Sequence, residues 1–141
     1  MPDTEAHSQR GVLSLVGRAL LTSVFFTSVP AHFGPVDLGF ARAAGVPLAN
    51  VVVPATGLLA FIGAASVLLG YRARLGAWLL ILFLMPVTFV MHNFWAASEA
   101  MKPLQIGMFF RNLSIIGGLL YIAQYGGGAW SLDARRKPIE K

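Results

Sequence analysis

The sequence predicts an all-α membrane protein, a bundle of four transmembrane helices joined by short loops. Of its 141 residues, 56% are hydrophobic and only 12% are charged, and the mean hydropathy is +0.67. A soluble domain of this length does not need so many apolar residues. Four apolar runs also have the length that a helix needs to cross about 30 Å of hydrocarbon. These runs lack the alternation that membrane β-strands show.

The predicted helices form one domain, residues 11–130, between an N-terminal tail (1–10) and a basic C-terminal tail (131–141). The helices are expected at residues 12–33, 48–69, 73–96 and 104–125. The connectors between them are too short for a soluble domain. A cleaved signal peptide is a weaker interpretation of the first run, because the run is too long for a signal sequence and Arg18 interrupts it.

The distribution of basic residues predicts that both termini are cytoplasmic, because cytoplasmic flanks carry an excess of lysine and arginine. One side of a four-helix chain holds Arg10, Arg72, Arg74, Arg135, Arg136, Lys137 and Lys141, and the other holds Arg42 and Lys102. The net charge of +5 therefore reflects the membrane topology and favours contact with anionic lipid headgroups. No basic stripe is interleaved with aromatic residues, so the pattern does not favour nucleic acid as a partner. The absence of cysteine excludes disulfides and thiolate metal sites in this chain.

Small residues at four-residue spacing predict close helix packing, which is how helices associate in lipid. These residues are Thr56, Ala60 and Ala64 in the second helix, Ala73 and Ala77 in the third, and Ser114 and Gly118 in the fourth. Pro54 and Pro86 lie inside predicted helices and remove backbone donors there, so we expect local kinks.

Three ionisable residues inside the predicted spans matter most: Arg18, His92 and Arg111. Such residues are costly in hydrocarbon and mark function by default. No aspartate or glutamate lies in a span, which argues against an ion-coupled transporter. Arg18 lies about 10 Å from the cytoplasmic end of the first helix, and its side chain leans toward that end. We expect it to extend to the inner interface, with Ser14 as a partner.

The remaining polar residues suggest a ligand site in the outer half of the membrane. The candidate residues are His92, Asn93, Arg111, Asn112, Thr88, Thr56 and His32, and they come from all four helices. Two interpretations stay open here: a shared cavity, or polar groups scattered at the interface. A cavity with these donors suits an anion or the carbonyl oxygens of a quinone, to which His92 can donate. Haem held by His32 and His92 fits less well, because His32 is expected at the surface. No metal site is expected, and no serine, histidine and acid set can be assembled for hydrolysis.

Four stretches resemble the DoxX family of small bacterial membrane proteins, over residues 17–136. They read GRALLTSVFFTSVPAHF, GLLAFIGAASVLLGYRARLGA, PVTFVMHNFW and FFRNLSIIGGLLYIAQYGGGAWSLDARR. The positions that match are Arg18 in the opening GR, His92, Asn93 and Trp95 in MHNFW, and Arg111, Asn112 and Leu113 in RNL. Relatives in that family often carry a glutamate where this chain has Ala60, and its absence counts against a mechanism that needs a buried proton acceptor there.

The resemblance implies an integral protein of the bacterial cytoplasmic (inner) membrane that is a quinone-facing or anchoring subunit of a redox assembly. At most it is the membrane subunit of a quinone-linked oxidoreductase, and its catalytic residues are unassigned. We expect no covalent cofactor, and the candidate partners are the lipid bilayer, an oxidoreductase subunit and further copies of the chain. The alternatives are a structural or assembly protein with no small-molecule site and, with less support, a small-solute carrier.

Overall fold

The chain folds into helices throughout the described part, residues 2–136 of a computed structural model, whose side chains are described from residue 8. The elements are α1 (Pro2–Ser28), which continues as a 3₁₀ helix (Val29–Phe33), α2 (Pro35–Ala43), α3 (Ala49–Leu69), α4 (Ala73–Met91), a second 3₁₀ helix (Phe94–Ala96), α5 (Lys102–Tyr125) and α6 (Leu132–Arg136). Four segments are long and apolar enough to cross a membrane: Ser8–Phe33, Ala49–Leu69, Ala73–Ala96 and Lys102–Tyr125. The predicted four-helix membrane fold is confirmed.

Helical structure extends into segments that the sequence analysis treats as tails or loops. Helix α1 begins at Pro2 and α6 lies within the basic C-terminal segment, of which residues 137–141 lie outside the described part. The connector that follows the first span contains α2, which has a proline at its start and Asp37 in its first turn. Both features favour a helix N-terminus. Helices α3 and α4 run without a break through Pro54 and Pro86.

The spanning helices pack as a row in which α1 contacts α3, α3 contacts α4, and α4 contacts α5. Helices α3 and α4 approach most closely at Gly63 and Gly76, where a Cβ on either residue would lie 3.1 or 2.9 Å from the carbonyl oxygen of the other. The predicted small residues beside them are buried, with Ala60, Ala64, Ala73 and Ala77 no more than 1% exposed. In contrast, Ser114 is exposed on α5.

The start of α1, the turn between α3 and α4, and the segment after α5 all meet at one end of the bundle, which we call the terminal end. There the Ser14 hydroxyl donates to the Gly127 carbonyl at 2.6 Å, and the Asp133 amide donates to the Gly70 carbonyl at 2.8 Å. Gly70 has a φ of +64° and lies against Ser131 and Arg18, so a side chain there would be strained and obstructed. We call the other end the opposite end.

Candidate functional site

A cavity of about 680 Å³ occupies the half of the bundle nearest the opposite end. This volume lies within the range of small-molecule sites. Most of its wall is apolar. The polar side chains that line it are Ser28, His32, Asp37, Thr56, His92, Gln105, Arg111 and Asn112. An apolar wall with a few converging polar groups is typical of a binding site.

Residues of all five helices from α1 to α5 line the cavity, and α1 and α5, the two ends of the helix row, meet beside it. These helices approach each other at Leu21 and Gly118, where a Cβ on the glycine would lie 3.1 Å from the leucine side chain. Farther from the terminal end, Ser28 of α1 and Arg111 of α5 both face the cavity. Phe25, from α1, meets Phe83 of α4 edge to face, with ring centroids 6.3 Å apart, and both rings line the cavity.

Asn112 is the most buried polar side chain of the cavity wall. It is 3% exposed and faces the cavity, and no protein group of residues 2–136 pairs with its side-chain amide. Every fully enclosed side-chain nitrogen or oxygen in this part of the chain does have a hydrogen-bond partner. The little exposure that Asn112 retains must therefore lie at its amide, on the cavity. An amide at the cavity surface can exchange hydrogen bonds with water or with polar groups of a cavity occupant.

His92 faces Gln105 at the opposite end of the cavity. Helix α4 ends at Met91, and His92 is the residue that caps it. Its Nδ1 lies 2.9 Å from Gln105 Oε1 in the first turn of α5. Arg111 lines the same cavity but is exposed. His92 is thus fixed by an amide on the neighbouring helix, and Arg111 is left to contact lipid or an occupant of the cavity.

His32 forms the other histidine contact of the cavity wall. Its Nδ1 lies 3.2 Å from the Ser28 carbonyl oxygen and 3.4 Å from Asp37 Oδ2. The ring tilts against Phe83 at a centroid distance of 5.6 Å. Gly57 of α3 permits this position, because a Cβ there would lie 2.7 Å from the Cβ of His32. The spans themselves contain no acid, so the carboxylate in the cavity wall comes from Asp37 of α2.

The structure brings five of the seven predicted ligand residues to one cavity: His32, Thr56, His92, Arg111 and Asn112. The other two lie elsewhere. Thr88 is fully buried and donates to the Leu84 carbonyl at 2.6 Å. Asn93 precedes the second 3₁₀ helix as its N-terminal cap. Their binding of a ligand stays a prediction.

Arg18 is buried, so the expectation that it extends to the interface is wrong. The side chain is 2% exposed and donates to four backbone carbonyls: Ser14, the expected partner, at 3.3 Å, Val67 at 3.5 Å, Leu68 at 2.7 Å and Trp130 at 2.8 Å. Leu68 lies in the last turn of α3, where carbonyls have no partner within the helix. Arg18 therefore joins α1, α3 and the segment before α6 at the terminal end.

The sequence analysis missed three cavity residues, Ser28, Asp37 and Gln105. Gln105 carried a usable signal, since it precedes Asn112 by seven residues and so lies on the same face of α5 two turns away. Asp37 also carried one, because the order proline then acid marks the start of a helix. Ser28 donates to the Phe25 carbonyl at 3.3 Å, as serine does in many membrane helices, and offered no distinguishing signal.

Comparison with known proteins places the chain among membrane proteins. The model of the SURF4 family matches residues 1–139. The chain is 28% identical over 139 residues to the Surfeit locus protein 4 homolog of Schizosaccharomyces pombe, covering 97% of this chain and 42% of that protein. It thus spans less than half the length of that relative.

Two further relatives are named for membranes or vesicles. The inner membrane protein YqjF of Escherichia coli is 34% identical over 125 residues, covering 84% of this chain and 88% of YqjF. The ER-derived vesicles protein ERV29 of Saccharomyces cerevisiae is 32% identical over 82 residues, covering 58% of this chain and 26% of ERV29. No solved structure matches the chain.

These matches correct the family suggested by the sequence motifs. The assignment to the DoxX family is wrong, since the match that covers nearly the whole chain is to the SURF4 family. The four quoted stretches reflect helix lengths, glycine-rich turns and basic flanks, which many four-helix membrane proteins share. They did not separate one family from another.

Proposed function

The chain belongs to the SURF4 family of membrane proteins, and from this membership and the cavity we propose that it is a membrane-embedded binding protein for a small amphipathic molecule. The polar head of that molecule would occupy the cavity lined by α1 to α5. Its apolar part would lie against the hydrocarbon wall or in the bilayer. In this proposal the chain binds and presents its ligand and performs no chemistry on it.

The observation that carries the proposal is the Asn112 amide, buried and directed at the cavity without a protein partner. Its amide can both donate and accept. Arg111 adds a cationic donor and Asp37 an anionic acceptor to the same wall. This set favours a head group that carries hydrogen-bond acceptors, either neutral or anionic.

A quinone is one ligand of this description, because its carbonyl oxygens accept hydrogen bonds and its tail is apolar. None of the relatives named above is named for redox chemistry. An oxidoreductase partner and a homo-oligomeric state therefore stay predictions that rest on the sequence motifs alone. The quinone is best treated as one candidate among amphipathic ligands.

Extraction of the protein with its surrounding lipid tests the proposal. The full chain would be isolated in polymer nanodiscs, and the bound small molecules would be compared by mass spectrometry with those of the whole membrane. We expect one class of amphiphile to be enriched in the wild type. Asn112→Leu should lower that enrichment about tenfold, the effect of losing about 1.4 kcal/mol of hydrogen bonding.

The matched control is Ser114→Ala, which alters an exposed side chain two residues away on α5 and should retain the ligand. If the extracts of wild type, Asn112→Leu and Ser114→Ala all match the bulk membrane, the binding function is wrong. An enriched quinone would support the redox interpretation, and any other amphiphile would exclude it.

We further propose that the chain lies in the bacterial cytoplasmic membrane with both ends in the cytoplasm. The alignment with E. coli YqjF supports the location, because it covers 88% of that inner membrane protein. The arginines of the terminal end support the orientation. Two reporters would be fused after Arg136, one that is active only in the cytoplasm and one that is active only in the periplasm. We expect activity from the first and none from the second, and the opposite result would reverse the assignment.

A further inference from the structure

A second hollow lies on the outer surface of α3 and α4, close to the terminal end and separate from the cavity. It measures about 340 Å³, and its wall is apolar except at one end. Exposed side chains of both helices line it, among them Phe61, Ile62, Leu69 and Leu75. From residue 61 to residue 69 the hollow follows about 12 Å of helix. These are the dimensions of a groove for a lipid chain.

The polar end of this groove carries Tyr71 and Arg72. The Tyr71 ring also holds a second cation, because the guanidinium carbon of Arg136 lies 4.6 Å from the ring centroid and that of Arg72 lies 5.9 Å away. Guanidinium groups at these distances are attracted to the face of an aromatic ring. Two arginines from different parts of the chain are thus gathered where the groove reaches the membrane surface.

The acid beside these arginines does not neutralise them. Asp133 accepts hydrogen bonds from the backbone amides of Arg72 at 2.8 Å and Ala73 at 2.9 Å, so both of its oxygens cap α4. The ion pairs among residues 8–136 are His32 with Asp37 and Lys102 with Glu99, and neither lies at the terminal end. Arg74 and Arg135 are exposed nearby. Asp133 keeps its one negative charge, but these four arginines outnumber it, so among residues 8–136 the groove ends in net positive charge.

We propose that this groove binds an anionic phospholipid, with one acyl chain along α3 and α4 and the phosphate between Arg72 and Arg136. Guanidinium groups bind phosphate oxygens through paired, charge-assisted hydrogen bonds. Clustered arginines beside a spanning helix attract anionic lipid over neutral lipid. An apolar groove continuous with the cluster adds a contact that free phosphate cannot make.

Native mass spectrometry of the delipidated full chain tests this proposal. The chain would be titrated with phosphatidylglycerol and with phosphatidylcholine of the same acyl chains. We expect the first phosphatidylglycerol to bind about tenfold more tightly than phosphatidylcholine. The double variant Arg72→Gln with Arg136→Gln should lose that preference, and Ala65→Phe, which fills the groove, should weaken the binding of both lipids.

The matched control removes two positive charges from the opposite end, as Arg42→Gln with Lys102→Gln, and should keep the preference. Arg72 and Arg136 are exposed, and thermal unfolding would verify that their variants fold. Equal affinity for the two lipids in the wild type overturns the proposal. An equal loss of the phosphatidylglycerol preference in the control also overturns it, because the preference would then depend on net charge alone. Inorganic phosphate that binds as tightly as the lipid overturns it as well.

Discussion

His32 Nδ1 lies 3.4 Å from Asp37 Oδ2, across the bend at which the first span gives way to α2. The two side chains are 15% and 32% exposed, so water screens the pair only in part. The contact joins the end of the first span to a helix that stands outside the four spans, and both residues line the cavity.

This contact predicts a measurable coupling between the two residues. A double-mutant cycle with His32→Gln and Asp37→Asn should give about 0.5–1 kcal/mol of interaction in the free energy of unfolding. The exposed pair of Lys102 and Glu99 provides the comparison and should couple less. Equal coupling in both pairs would contradict the role of partial burial.

Arg18→Met should destabilise the fold by about 2–4 kcal/mol, because it leaves carbonyls of α3 and of the segment before α6 without their donor. Arg18→Lys should recover only part of this, since one ammonium cannot span the same carbonyls. Arg10→Met changes an exposed arginine of the same helix and should stay within about 0.5 kcal/mol of wild type. Denaturant titration of the purified protein measures all three, and similar losses for Arg10 and Arg18 would refute the assigned role.

Two glycines should respond in opposite ways to alanine. Gly57→Ala places a Cβ 2.7 Å from that of His32 and should cost about 1–3 kcal/mol by overpacking. A Cβ on Gly117 would meet no neighbour within 4 Å, so Gly117→Ala should be neutral or stabilise α5 by up to about 1 kcal/mol. Thermal unfolding tests the pair, and the ligand content of Gly57→Ala tests whether His32 has moved.

Asp133→Ala should destabilise the start of α4 by about 1 kcal/mol, because two backbone amides lose their acceptor. Asp133→Asn keeps one oxygen and should lose about half as much. Hydrogen exchange at the amides of Arg72 and Ala73 would locate the effect. Glu99→Ala removes an exposed acid elsewhere and should leave exchange at these two amides unchanged. Protection that survives in Asp133→Ala would show that the cap contributes nothing.

The spans could be predicted from the sequence because hydrocarbon thickness fixes the length of an apolar helix. The depth of the cavity residues followed from counting along those helices. Their rotation was harder, since one residue turns a helix by about 100°. Thr56 faces the cavity and Thr88 faces the packed interior, although each threonine lies two residues after a proline.

The parts that could not be predicted involve the backbone and the connectors. The partners of Arg18 are backbone carbonyl oxygens. Every residue has one, so the residue types in the sequence do not indicate which residues pair with Arg18. Asp37 lies in a stretch whose glycines and prolines indicate a loop, and this pattern hid the local helix-start signal of α2, which packs against α3. The family assignment failed for a related reason, because lipid favours similar residues in four-helix chains of different families.

The position of Trp130 bears on the order in which the chain matures in the membrane. Its carbonyl accepts from Arg18, which precedes it by 112 residues. During synthesis the first span must therefore enter the bilayer with a guanidinium that still lacks one of its acceptors, and that acceptor follows only after the fourth span. The hydrogen bond from Arg18 to the Trp130 carbonyl can therefore form only after all four spans have been inserted. A chain arrested before this point would hold an incompletely paired cation within hydrocarbon, which is costly.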